Sequence, residues 1–446
     1  MFVRIDNTPR DYAWGSTTAI AELFGRAASG GPEAELWLGA HPASPSRILN
    51  PSQTGGARDL AEWIARDPHA ALGIQAAAAG AGAPRLPYLM KVLAAEGPLS
   101  LQAHPSSEQA REGFARENAA GVPLDAPERN YKDAFHKPEL LYALSDQFEA
   151  LCGFRQVADA LADVERLVDA ADPGSSALVA FRNRLAVRAD AEQVLRNVVA
   201  WLLESAAGVA ELVAETVAAA ARVVQQAGEA SDEPATRPFV TVGTLSAAFP
   251  NDPGIVLSLL LHRVTLRRGE ALYLPAGNIH AYLHGLGVEL MASSDNVLRG
   301  GLTRKHIDIA ELMRVLHFTP LPVPYLPAES KLGDIEIFRP DVPDFQLVHV
   351  ERGVGRGAGQ HGGGQHGARQ HGGGQNGAGQ LRADEDAPEI QLVGPAIALC
   401  VAGAVRLQSP GGQVELQRGE TVYVTPDEAS IAVVGDGSVF IATENI

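Results

Sequence analysis

The sequence predicts a mainly β protein with an inserted α-helical domain, its strands forming two jelly-roll β-barrels. Three observations carry that prediction. Up to about Leu151 the chain alternates short apolar runs with turn residues. From residue 152 to 248 it becomes rich in Ala, Leu, Val and Glu at helical spacing. Beyond that, one strand–turn–strand unit recurs. It first reads Val264-Thr265-Leu266, Arg267-Arg268-Gly269-Glu270, Ala271-Leu272-Tyr273-Leu274. It returns as Val414-Glu415-Leu416, Gln417-Arg418-Gly419-Glu420, Thr421-Val422-Tyr423-Val424. A repeated unit argues for two related β-rich modules rather than one.

Residues 86–93 read as a largely buried strand, and residues 99–104 as a second strand stopped by Pro105. Alternate strand residues face the same way, so Gln102 and His104 share a face. Residues 106–118 are charged and predict a surface helix capped by Ser106 or Ser107. Residues 157–168 and 191–223 predict helices, with Asp172-Pro173-Gly174 as a turn between them. Their apolar stripes are expected to be core. No histidine follows Val424-Thr425-Pro426, so the C-terminal barrel is expected to be metal-free and structural. Residues 353–380 are low in complexity, with Gln360, Gln365, Gln370 and Gln375 followed by His361, His366, His371 and Asn376. Such a stretch cannot bury a core and is expected to be a disordered loop. The expected division is 1–151 with 249–318 as a metal-binding catalytic domain, 152–248 as the helical insertion, and 319–446 as the C-terminal barrel holding that loop.

The chain has 446 residues, 46% of them hydrophobic, enough for two or three domains with real cores. Its formal net charge of -17 argues against nucleic acid or an anionic membrane as partner. A small anionic substrate remains compatible, because a local basic pocket can outweigh a distant acidic surface. The two cysteines, Cys152 and Cys400, make no disulfide framework and fit buried thiols in a reducing compartment. Met1-Phe2-Val3-Arg4-Ile5-Asp6 lacks the apolar run of a secretory signal. No stretch of about 18 apolar, uncharged residues occurs, so no membrane span is expected. A cytoplasmic monomer acting on a small molecule is the resulting expectation.

Gln102-Ala103-His104, His136-Lys137-Pro138-Glu139 and Pro275-Ala276-Gly277-Asn278-Ile279-His280 can be read as one metal site. They offer imidazoles, a carboxylate and an amide oxygen, which suits a divalent first-row metal better than calcium. Gly269, Pro275, Gly277 and His280 match the second metal motif of cupins. Gln102-x-His104 stands where cupins usually carry His-x-His, and His284 where they often carry Asn. Taken singly, His104 or His280 could be a packed strand histidine, Glu139 a surface ion pair, and Arg299 a partner for Asp295. Their joint occurrence argues for a site. His41, His262, His284 and His306 have no recognisable partners and are expected to be structural or exposed.

Longer stretches are more specific. Lys91 with Ser100-Leu101-Gln102-Ala103-His104-Pro105, Tyr131-Lys132-Asp133-Ala134-Phe135-His136-Lys137-Pro138-Glu139, and Glu289-Leu290-Met291-Ala292-Ser293-Ser294-Asp295-Asn296-Val297-Leu298-Arg299-Gly300-Gly301 resemble signatures of the type I mannose-6-phosphate isomerases. Tyr12-Ala13-Trp14-Gly15-Ser16 and Glu35-Leu36-Trp37-Leu38-Gly39-Ala40-His41-Pro42 are similar to that family as well. The resemblance runs over roughly residues 1–350. It is weakest in the helical segment, the Gln/His loop and the last barrel. It implies a zinc-dependent aldose–ketose isomerase, with one Zn2+ per subunit, that interconverts mannose 6-phosphate and fructose 6-phosphate. The family's zinc ligands fall on Gln102, His104, Glu139 and His280, and its catalytic arginine on Arg299. Its active-site lysines fall on Lys91 and Lys137, and its acidic pocket residues on Glu289 and Asp295.

Those residue types suit the chemistry. Isomerisation removes a proton alpha to a carbonyl and returns it to the neighbouring carbon, and charge builds on the oxygens of an enediolate that a cation can stabilise. Glu289, Lys137, His136 and Asp295 are the candidate acids and bases, and the sequence does not choose among them. Arg299, Lys305 and Lys91 can supply charge to a phosphate, with Ser100 as a further substrate-binding residue. The competing readings are a non-catalytic sugar-phosphate-binding cupin, which would bind without turnover, and an isomerase for another sugar phosphate.

Overall fold

The computed structural model describes residues 1–78, 84–228, 230, 233–353, 387 and 389–445. The predicted Gln/His loop lies outside them except for Gly353. The chain's strands up to residue 301 are β1 (Phe2–Asp6), β2 (Glu35–Leu38), β3 (Arg47–Ile48), β4 (Tyr88–Ala95), β5 (Leu101–Ala103), β6 (Glu139–Ala143), β7 (Phe148–Phe154), β8 (Leu261–Leu266), β9 (Ala271–Leu274), β10 (His280–Ala292) and β11 (Leu298–Gly301). The later ones are β12 (Ser330–Leu332), β13 (Ile335–Phe338), β14 (Gln346–Arg352), β15 (Glu389–Gln391), β16 (Ala396–Ser409), β17 (Gly412–Gln417), β18 (Thr421–Val424) and β19 (Ser430–Thr443).

The long strand β10 organises a nine-stranded sheet. Near its start, His280 lies opposite Gln102 of β5 and Cys152 of β7. Further along, Glu289 lies opposite Lys91 of β4, and Met291 opposite Glu139 of β6. One leaf is thus β11-β5-β10-β7-β8 and the other β2-β4-β10-β6-β9. Leu93, Leu141, Phe148, Leu266, Leu272 and Tyr282 form an apolar core from strands of both leaves. Alternation along β6 sends Leu141 and Ala143 there, and Leu140 and Tyr142 into a second core shared with the C-terminal sheet. Strand β4 is buried along its whole length, which explains why it reads as a nearly continuous apolar run.

The C-terminal sheet has ten strands and repeats the device. Its long strand β16 pairs with β17, β18 and β19, and β19 with β14 and β15 as well. Strand β1 joins this sheet, with Phe2 opposite Val424, so the first strand of the chain lies beside one of the last.

The expected fold class, mainly β with two cupin/jelly-roll barrels, is corrected here. The protein is 31% helix and 30% strand, and among the described residues no sheet closes into a barrel. Both recurring turns explain the opening. Strands β8 and β9, on either side of residues 267–270, pair with β7 and β6 rather than with each other. The turn passes the chain between leaves, and no ladder joins the outer strands among the described residues. Helices in the region read as strand-rich supply part of the remaining difference. Leu60–Arg66, for example, is capped by Asp59, whose side chain accepts from the Glu62 N–H.

The helix Ser107–Ala119 forms with a capping box between Ser106 and Gln109. The helices Val157–Ala170, Ser176–Leu185, Ala191–Leu203, Val209–Ala227 and Arg237–Ala248 occupy the predicted helical segment. The pattern over 191–223 is broken where Ser205 (φ 48°) and Gly208 (φ 89°) turn left-handed. Their apolar faces share one core with Leu101, Leu151, Ile279 and Ala281 of the first sheet.

Candidate active site

His104 follows β5 directly, and His280 opens β10 after a turn at Pro275-Ala276-Gly277. Gly277 sits at φ 77°, where a Cβ would also meet the His317 ring at 2.7 Å. The Gly277 N–H donates to His104 O at 2.9 Å, tying this turn to the end of β5. The local sequence therefore fixes both imidazoles relative to each other.

His104 Nδ1 lies 2.7 Å from Asn296 O, and His280 Nδ1 lies 3.0 Å from Asn278 O. A carbonyl only accepts, so each ring carries its proton on Nδ1 and leaves Nε2 bare. Glu139 reaches between them, with Oε1 3.3 Å from His104 Nε2 and Oε2 3.2 Å from His280 Nε2. Each of the three residues is 1% exposed, and their ligand atoms lie within 4.8 Å of one another. Both Nε2 atoms and Glu139 Oε2 lack a hydrogen-bond partner. Buried, unpaired electron pairs converging on one point are costly unless a cation sits among them. The donor set fits a first-row divalent metal. Burial holds the His104 imidazole down to about 4, so it stays neutral and able to ligate. Burial works to raise the Glu139 carboxyl, but Lys137 and His104 together hold it well below the usual range. Gln102 lies opposite both His280 and Arg299 in the ladders, which puts its amide beside this cluster.

The cluster borders a cavity of about 790 Å3. Lys91, Ser100, Gln102, Lys137, Glu139 and Glu289 line it. So do Asp295, Arg299 and Lys305. Lys91 Nζ is buried 2.8 Å from Glu289 and 3.6 Å from Glu35. Burial works against its charge, yet the carboxylates overcome this and raise its pKa. Burial raises the Glu289 carboxyl, and Glu139 and Glu35 add to the rise while Lys91 opposes it. Lys137 Nζ lies 3.0 Å from Glu139 Oε1. Arg299 has no ion pair or hydrogen bond of its side chain among the described residues, and burial lowers its pKa. Burial and the Arg299 charge lower that of Lys305. Two adjacent cations without a carboxylate between them suit an anion. His136 is not on this wall; its Nε2 lies 2.8 Å from Asp344 Oδ2.

Sequence reasoning missed several lining residues. His41 is 3% exposed, accepts the Ala43 N–H at Nδ1, and lies 3.3 Å through Nε2 from Asp295 Oδ1. Burial works to raise Asp295, but this contact wins and lowers it. Trp37 packs edge-on to His41 and donates its indole N–H to Glu35 at 2.9 Å. Tyr282 also lines the cavity. His41, Trp37 and Glu35 all fall in one stretch that carries the family resemblance, which was the available signal.

Fold and site define a metal-dependent enzyme. Residues 2–157 match the model of the type I phosphomannose isomerase catalytic domain. The chain is 35% identical over 436 residues to the mannose-6-phosphate isomerase of Escherichia coli, covering 97% of each. It is 38% identical over 437 residues to that of Salmonella typhimurium, again covering 97% of each. A zinc-bound mannose 6-phosphate isomerase crystal structure superposes with a TM-score of 0.80 at 33% identity, covering 100% of both chains. The chain belongs to the type I phosphomannose isomerases.

Proposed function

We infer that this protein is a metal-dependent aldose–ketose isomerase that interconverts D-mannose 6-phosphate and D-fructose 6-phosphate. The observation that carries the reading is the buried His104–Glu139–His280 cluster, with its bare nitrogen atoms, on the wall of a cavity that also holds unpaired cations. Zinc is the metal we assign, held by these three residues and by the Gln102 amide. When bound it would supply Lewis acidity toward the sugar oxygens. Arg299, across the ladder from Gln102, stabilises charge developing on those oxygens. Lys305 and Ser100 hold the phosphate, with Lys305 at the solvent end; each charge-assisted bond contributes about 1.5–3 kcal/mol. Glu289 carries the carbon-bound proton between carbon 2 and carbon 1, and Lys91 fixes its carboxylate through the 2.8 Å ion pair. Lys137 handles the hydroxyl proton, and Asp295, set by His41, orients the sugar. The buried free thiols Cys152 and Cys400 support a reducing, cytoplasmic setting.

The test is a coupled assay of purified protein with mannose 6-phosphate, before and after chelation and zinc return. Turnover lost on chelation and restored by zinc is the expected result. Tight hexose-phosphate binding with no turnover by the metal-loaded protein would replace the reading with a binding function. Turnover surviving complete metal removal would remove the metal from the mechanism.

A further inference from the structure

Asp252 follows the helix Arg237–Ala248 and ties together two turns that are remote in sequence. Its Oδ1 accepts the Gly254 N–H at 2.7 Å, and its Oδ2 accepts the Thr303 N–H at 3.3 Å. The two backbones also pack directly. A Cβ on Gly254 would sit 2.9 Å from Leu302 Cγ and 3.0 Å from Leu302 N, and one on Gly301 would sit 3.1 Å from Gly254 Cα. Among the described residues, Ser205, Asn251, Leu302 and Ala429 are the non-glycines with left-handed backbone. Of these, Leu302 alone lines the cavity. At φ 52° its Cβ crowds the backbone carbonyl, a conformation that leucine keeps only where its surroundings impose it. Two contacts impose it here. The Leu302 side chain is buried in the core it shares with Ile255 and Val256, and the next N–H along the chain is held by Asp252.

This turn separates the two cations assigned to the anionic substrate. Arg299 precedes it on β11, and Lys305 follows it, with its N–H donating to Thr303 Oγ1 at 3.0 Å. Both line the cavity. Like charges repel, so Lys305 stays beside Arg299 only where the backbone beneath it is fixed. We propose that Asp252 is a positioning residue: it holds the turn at 301–303 so that Lys305 and Arg299 converge on the substrate phosphate. This deepens the isomerase reading and rests on it. Asp252 is not on the cavity wall, so it acts through the turn rather than on the sugar. The phosphate is unchanged between bound sugar and transition state. An effect on its grip therefore falls on KM rather than on kcat.

Asp252→Ala tests this with separate readouts. The variant should raise KM for mannose 6-phosphate roughly tenfold and leave kcat within about threefold. Inorganic phosphate, used as a competitive inhibitor, should lose affinity by the same factor. Asp252→Asn keeps one acceptor oxygen and must leave one of the two N–H groups unpaired, so it should fall between wild type and alanine. It carries the test alone if the alanine variant does not fold. A purely structural role would lower the unfolding midpoint and leave phosphate inhibition of the folded variants as in the wild type, and that result would overturn the proposal. So would a fall in kcat with KM and phosphate inhibition unchanged. Either outcome leaves the isomerase reading intact. If the wild type itself turned over no hexose phosphate, the functional reading would fall and this inference with it.

Discussion

At residues 267–270 and again at 417–420 the chain makes the same turn. Glu270 N–H donates to Arg267 O at 3.0 Å, and Glu420 N–H to Gln417 O at 2.9 Å. Each glutamate carboxylate accepts from the backbone N–H that opens its turn, at 2.8 Å in both. Gly269 and Gly419 sit at φ 91° and 87°. The segments beyond the two turns differ. After β9 come Pro275, Gly277 and His280; after β18 come Pro426, Glu428 and Ala429. The interior of the first sheet buries Lys91, Glu139 and Glu289 beside His104 and His280. The corresponding C-terminal core is Val348, Val350, Leu407, Val422, Val424 and their apolar neighbours. Shared turn chemistry thus specifies how strands connect and says nothing of what the interior does. The functional sheet is the one that keeps buried charges, which persist only if something compensates them.

Alanine at one histidine in each sheet breaks this comparison most sharply. His280→Ala should abolish stoichiometric metal binding and reduce turnover more than about 10³-fold. His349→Ala, in the C-terminal sheet, should leave metal and kcat unchanged. It should cost about 2–3 kcal/mol of stability, because it strips Ser438 and Tyr142 of a partner and unstacks Phe440. Metal analysis, steady-state kinetics and urea unfolding separate the two. His280→Ala retaining its metal would sink the assignment of the site.

Part of this architecture is legible in the amino-acid sequence alone. The ligand stretches are marked by Pro and Gly at turns that aim imidazoles, and the Ser106 cap and the Asp172-Pro173-Gly174 turn are local signals of the same kind. Pairings between distant segments are not legible there. Nothing near Phe2 announces its ladder with Val424, and nothing near His41 announces Asp295. His136 is adjacent in sequence to Lys137, yet its imidazole pairs with Asp344, 208 residues further along the chain. Barrel closure failed as an expectation because it depends on outer strands meeting, which a repeated turn does not encode.

A smaller effect, on chemistry alone, is expected at Arg299. Arg299→Ala should reduce kcat/KM about 10²–10³-fold, as for loss of an oxyanion donor. It should move stability by less than about 0.5 kcal/mol, since no internal ion pair is lost. Near-normal turnover in this variant would remove the role proposed for Arg299.

The pH dependence should distinguish the buried charges from ordinary surface carboxylates. Because burial raises Glu289, it takes up its proton at higher pH than the usual 4.5. A base is inactive when protonated, so the acid limb of kcat/KM should lie above 4.5, and Glu289→Gln should remove turnover. Stability responds to the same shift. A raised carboxyl contributes fully below its unfolded value and loses that contribution as pH rises through the folded one. An acid limb at or below 4.5 would exclude Glu289 as the base.

The finest comparison returns to the paired turns. Gly269→Ala and Gly419→Ala each force a side chain into the left-handed region, at about 1–2 kcal/mol. At Gly269 the new Cβ meets only the Tyr142 hydroxyl, at an ordinary 3.7 Å. At Gly419 it approaches Phe24 Cβ at 3.1 Å, closer than side-chain carbons usually sit. The C-terminal variant should therefore be the less stable by some tenths of a kcal/mol, while both keep their metal. Equal midpoints would mean that the helix Ala19–Phe24 yields without cost. A larger loss at Gly269 would mean that the turn leading to His280 is held more tightly than its twin, as a site needing fixed imidazoles requires.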